Sequence, residues 1–331
     1  MKNRDSRIEL LRIVSMFLII CGHANYEVFG MPHGLSWIAF SRSAFETLSI
    51  GSVMIFIVIT GYYGTSFSFK RILGLLFQCL FAVALSLIVV SKFYPDRSFS
   101  FQSLCYWFVA SYIGLLIMTP VLNLAAQSMN KHLHLTFILV ATVGYSVLDT
   151  FLPSLGVRHG YSTLWFCVVY LIGNYLHKYP VNISTRLIVV IVLSCTLLNG
   201  VICSIVPQLN TDSNLLIVVV AVAIFELFNR LPTFENKHIN MISSSTLMVY
   251  LTNDSSMGQL LYLRTLHKIY HSTDSMPLFL LESALWIVLW FAVAIVVGHI
   301  CSFCWRHIYR WIRKPVEWLD NRFAMNTKAL N

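Results

Sequence analysis

Long apolar runs, separated by short polar breaks, make up nearly the whole of this chain. A helix that crosses a bilayer needs about 20 largely apolar residues. Ten stretches meet that pattern: 8–28, 44–64, 71–91, 104–126, 134–152, 163–177, 186–206, 214–230, 242–262 and 279–304. The sixth is short. The ninth is the most polar, with Ser243, Ser244, Ser245, Asn253 and Asp254 inside it. Both still qualify, because polar faces are tolerated where a helix is buried among others. The pattern predicts an all-α, polytopic membrane protein of about ten transmembrane helices, built as a single membrane-embedded domain over 1–331.

Composition agrees. Of 331 residues, 57% are hydrophobic and only 11% charged, and mean hydropathy is +0.72. Soluble domains average about 25% charged, so no sizeable soluble domain is expected. The charged start, from Met1 to Arg7, leads into an apolar run with no small-residue cleavage site, which reads as an uncleaved first span. With the N-terminus placed in the cytoplasm, sixteen basic residues fall on the inner side and six, including Lys92 and Arg97, on the outer side. That asymmetry puts both termini in the cytoplasm. It also accounts for the net charge of +9 without a nucleic-acid partner. The tail 305–324 mixes aromatic and basic residues and is expected to lie along the cytoplasmic membrane surface. The eight cysteines lie in or beside apolar runs and read as free core residues. Cys301 and Cys304 form a lone CxxC without further ligands, so no metal site is expected.

The chemistry begins in the first span. Arg12 and His23 are eleven residues apart. On a helix that is three turns plus roughly 20°, one face, with about 16 Å between them along the axis. Intramembrane ionisable side chains usually face a bundle interior or cavity and mark function. The arrangement reads as a slot with a cation near the cytoplasmic end and an imidazole near the outer end. Glu27 lies one turn beyond His23, where a carboxylate can fix the imidazole tautomer and favour a base role; as an alternative it is an interfacial charge. Arg12 either pairs with Glu9 or anchors an anion entering from the cytoplasm. Lys70 and Arg71, in the short inner loop after the second span, are either part of the positive-inside bias or a phosphate grip. Asp149, near the outer end of the fifth span, can assist the imidazole or bind sugar hydroxyls. Glu226 has Arg230 at i+4 and reads as a structural pair. No nucleophile elbow, Walker loop or zinc-protease motif is present.

The Arg-x10-His pattern within the run from Arg7 to His23 strongly resembles the opening of the acyltransferase 3 family of integral membrane acyltransferases. Other pieces agree in order. Ile50 to Tyr63, with Thr60-Gly61, is similar to the family's second helix with its Ser-Gly ending. Tyr106 to Asn123 resembles the segment that starts Trp-Phe and ends Pro-hydrophobic-Asn. Leu164 to Tyr179 is similar to its Trp-Phe…Tyr-x-x-Gly block. Ser245 to Asp254 resembles a late segment in which many members carry His where this chain has Asn253. The resemblance implies transfer of an acyl group, usually acetyl, from cytoplasmic acyl-CoA to a hydroxyl of a surface or lipid-linked carbohydrate. It implies His23 as the catalytic residue, Arg12 as its partner arginine, and Lys70 and Arg71 at the place of a paired-arginine loop whose spacing they do not reproduce. Acetyl-CoA enters as donor substrate with no bound cofactor; the other partners are the carbohydrate acceptor and membrane lipid, and the expected site is the bacterial cytoplasmic membrane.

Two other classes fit an intramembrane Arg and His. A proton-coupled carrier or polysaccharide-precursor flippase would often show broken helices in two matching halves, and no such symmetry is visible. A non-catalytic sensor or assembly protein would not depend on His23.

Overall fold

The computed structural model describes residues 4–93, 106–152 and 158–328. Lys2, Arg97, Cys105 and the first two residues of the predicted span 104–126 lie outside them. The described residues form helices and no strands: α1 (Ser6–Phe29), α2 (Trp37–Tyr63), α3 (Phe69–Phe93), α4 (Trp107–Ser128), α5 (Lys131–Phe151), α6 (Thr163–Lys178), α7 (Thr185–Ile205), α8 (Leu215–Asn229), α9 (Lys237–Ser243), α10 (Thr246–Asn253), α11 (Arg264–Ser272) and α12 (Met276–Lys328), with a π-helical turn at Gly258–Leu263.

Seven of these, α1 to α5, α7 and α12, are long and apolar enough to cross a membrane. The remaining three predicted spans are helical but different. Helices α6 and α8 have 16 and 15 residues, short of the ~20 that a perpendicular crossing needs. The segment 242–262 is not one helix: α9 ends at Ser243, α10 runs from Thr246 to Asn253, and the π-helical turn follows. The serines 243–245 and the Asn253-Asp254 pair stand at its two breaks. Such side chains hydrogen-bond nearby backbone and compete with helix continuation; the Ser255 hydroxyl, for example, donates to the Thr252 carbonyl and accepts from the Gly258 amide.

The contacts gather into two compact units, interleaved along the chain. The first comprises 1–65 and 121–243, the second 66–120 and 244–331. In the first unit α2 is the central helix, in contact with α1, α6, α7 and α8. Glycine makes this possible where α2 crosses α6. A Cβ on Gly61 would stand 2.1 Å from the Tyr170 carbonyl oxygen, and one on Gly173 would stand 2.3 Å from the Val58 carbonyl oxygen. Small residues let membrane helices approach backbone to backbone in this way. Tyr170 of α6 donates its hydroxyl to Asn123 Oδ1 (2.6 Å), and Asn123 donates in turn to the Thr65 carbonyl (2.8 Å). Trp165, fully buried, donates its indole N–H to the Asp212 carbonyl (3.1 Å).

In the second unit α12 packs along α3 and α10. Gly298 gives α10 its close approach, since a Cβ there would lie 2.6 Å from Ser245 Cβ. The tail does not begin a separate surface segment after residue 304. It continues α12 as one helix to Lys328, with Pro315 inside it. Asp320 on that extension accepts from the Phe69 amide (2.6 Å) and the Ser68 hydroxyl (3.0 Å), which caps the start of α3. Phe323 stacks on Phe67 beside this cap. The seven described cysteines are free thiols.

Candidate active site

Asp5 caps α1, and the helix runs unbroken to Gly30, whose φ of 70° ends it. Continuity keeps Arg12 and His23 on one face, about 16 Å apart along the axis. The residues between them on that face, Ser15, Met16 and Ile19, are all buried. The stripe joining the two ionisable side chains is therefore covered by protein.

At the N-terminal end of this face, Arg12 donates to Glu9 Oε1 at 2.9 Å. The other oxygen of Glu9 accepts from the Ser243 hydroxyl. Glu9 is nearly fully buried, while the Arg12 side chain keeps about a third of its surface open (32%). The carboxylate is thus fixed by α9 and holds the guanidinium by one arm. A guanidinium has five N–H donors, so most of its capacity is left for an incoming anion. One turn earlier, Arg7 pairs with Asp5 and donates to the Asn229 and Leu231 carbonyls, which ties the start of α1 to the end of α8.

At the C-terminal end of this face, His23 is half-buried. Glu27 is exposed and makes no hydrogen bond or ion pair among the described residues. The acidic group built into this end is Glu46 of α2. It is nearly fully buried and accepts from Asn25 Nδ2 (2.8 Å) and Asn210 Nδ2 (2.6 Å). Arg42, one turn before it, donates to Asn25 Oδ1 (2.8 Å) and to the Asn25 and Gly30 carbonyls. A second polar chain runs beside this one: Asn199 donates to Thr47 (2.9 Å) and accepts from Asn214 (3.0 Å). Sequence reasoning missed Glu46 and Arg42 as parts of one network. A carboxylate near the start of the second apolar run was the available signal.

Asp149, buried at the end of α5, has both oxygens engaged. One accepts from the His159 amide (2.9 Å), the other from the Ser213 hydroxyl. His159 itself adopts a left-handed conformation (φ 56°). Asp149 thus clasps two loops and bonds no imidazole; the His159 ring nitrogen is 4.0 Å away. The neighbouring Asp212 is buried, with Oδ2 unbonded. Burial, and secondarily the charge of Asp149, push its carboxyl well above the usual carboxylate range. Lys70 and Arg71 belong to the second unit, at the start of α3. The Lys70 ammonium lies 4.7 Å from the Tyr309 ring centroid, and Arg71 donates to the Ser66 carbonyl. Both are exposed.

Neither a curated protein nor a solved structure matches this chain. A family model described as Acyltransferase domain matches residues 5–303.

Proposed function

Because the chain belongs to that acyltransferase 3 family and is therefore a multi-pass membrane acyltransferase, we propose that it transfers acetyl from cytoplasmic acetyl-CoA to a hydroxyl of a surface or lipid-linked carbohydrate. The observation that carries this reading is the protein-covered face of α1 that holds Arg12 at one end and His23 at the other. Arg12, oriented by Glu9, receives an anionic group of the donor. His23 is the general base. Its neutral nitrogen takes the proton of the acceptor hydroxyl, the oxygen attacks the thioester carbonyl, and the carbon–sulfur bond breaks. The departing thiolate regains a proton, and the imidazole is restored. The cell membrane of a bacterium is the proposed setting.

The test uses membranes that contain wild type or His23→Ala at equal level, supplied with host glycans and acetyl-labelled acetyl-CoA. Base-labile ester label on glycan should appear with wild type and fall at least 100-fold in the variant, the usual range for loss of a general base. Equal labelling by both would remove His23 from the chemistry. Absence of label in both would remove this donor or these acceptors.

A further inference from the structure

A cavity of about 430 Å³ opens where α6 ends, α7 begins and α8 ends. Tyr62, Leu176, Thr185, Glu226, Asn229 and Arg230 line it. All lie in the first unit. Thr185 is the first residue of a helix long and apolar enough to cross a membrane, so the cavity stands at the level where a span gives way to the interface. Its size is many times the ~30 Å³ that one water occupies.

The polar groups of this cavity are unevenly matched. Glu226 is more than nine-tenths buried (7% exposed) and lines the space, yet its carboxylate makes no hydrogen bond among the described residues. Its charged neighbour among the described residues is Arg230, whose Nε stands 3.9 Å from Oε2, beyond hydrogen-bond range. Arg230 is committed elsewhere: it donates from Nη1 to the Ile183 carbonyl (2.6 Å) and from Nη2 to the Val181 carbonyl (3.0 Å). Asn229 gives its amide N–H to the Tyr62 hydroxyl (3.2 Å) and leaves its Oδ1 as an acceptor. The Tyr62 ring adds an electron-rich face. A carboxylate, an amide oxygen and an aromatic ring are all partners for a positively charged donor. The Glu226 carboxylate borders the cavity, and a cation that enters and donates to it makes a charge-assisted hydrogen bond.

We propose that this cavity binds a primary ammonium group, with Glu226 as its carboxylate partner. The chemistry does not depend on acyl transfer. Two sources carry it at this depth: the headgroup of an ethanolamine phospholipid, and a soluble amine from the cytoplasm.

The purified full-length protein is placed in nanodiscs of phosphatidylcholine, whose quaternary ammonium cannot donate hydrogen bonds, with or without phosphatidylethanolamine. Thermal unfolding is measured. Phosphatidylethanolamine should raise the unfolding temperature by several degrees in wild type and leave Glu226→Gln unmoved. Ethanolamine added to phosphatidylcholine nanodiscs tests the soluble source, and a rise there that Glu226→Gln lacks assigns the ligand to it. If Glu226→Gln does not fold, Thr185→Trp keeps the carboxylate and blocks the cavity, and it should abolish the same rise. An equal response of wild type and variants, or no response of wild type to either amine, would overturn the proposal.

Discussion

His23 and Asp212 show how differently two titratable groups depend on their surroundings. In its proposed role as general base His23 must be neutral, so protonation of the imidazole at acidic pH should remove activity. Asp212 acts on stability. Its folded carboxyl ionises at higher pH than the unfolded one, whose value is about 3.9. Stability from this group is therefore complete below about pH 3.9 and is lost as pH rises through the raised folded value. Asp212→Asn keeps the neutral shape and does not titrate. Thermal unfolding in detergent between pH 4 and 9 should show the variant gaining on wild type by several degrees as pH rises. Parallel curves would mean that Asp212 is not the group responsible. The clasp around Asp149 is where the loss should appear first, because His159 and Ser213 both bond to that carboxylate.

Helices explain which sequence fragments were legible and which were not. The Arg12–His23 face followed from spacing alone, since one unbroken helix carries both. Thr60-Gly61, Asn123 and the Tyr170…Gly173 block drew attention as family likeness, and the structure gives them a packing role: Gly61 and Gly173 form the α2–α6 crossing, and Tyr170 with Asn123 secures it. Gly173→Val should therefore prevent a stable fold, since the added carbon meets backbone atoms, Val58 O at 2.3 Å and Tyr62 N at 2.8 Å, and overpacking costs about 1–3 kcal/mol even where neighbours can adjust. Gly144→Ala in α5 is the control. No atom lies within 4 Å of its added carbon, and a helix-interior Ala in place of Gly gains up to about 1 kcal/mol. Size-exclusion profiles and unfolding temperatures of the two variants check this contrast. The Glu46 network was not legible in the same way. It joins Asn25, Arg42, Glu46 and Asn210 across helices and a loop, and periodicity within one segment carries no information about partners that distant. The broken 242–262 segment lies between: its polar residues were visible, but their effect as helix stops depended on local hydrogen bonds.

At the scale of the molecule, each unit is tied from its earliest helix to its latest. In the first, Ser6 bonds Asn240 (2.9 Å) and Glu9 bonds Ser243. In the second, Asp320 near the end of α12 caps α3. The continuous extension of α12 was not apparent from a mixed aromatic and basic tail, because the Asp320 and Phe323 contacts that fasten it are with Phe69 and Phe67, far away in sequence. Asp320→Ala should cost about 0.5–2 kcal/mol, the range for a lost helix cap, and should speed hydrogen exchange at the Phe69 and Lys70 amides; unchanged exchange there would show that the cap does not hold α3. The cap has a further consequence for the order of events in the cell. Phe69 is synthesised 251 residues before the carboxylate that receives its amide. The first turn of α3 therefore enters the bilayer without its own partner and stays incomplete while the next 251 residues are made. Closure of the second unit waits until residue 320 has been made, and a ribosome that stalls short of it would leave α3 inserted but unfinished.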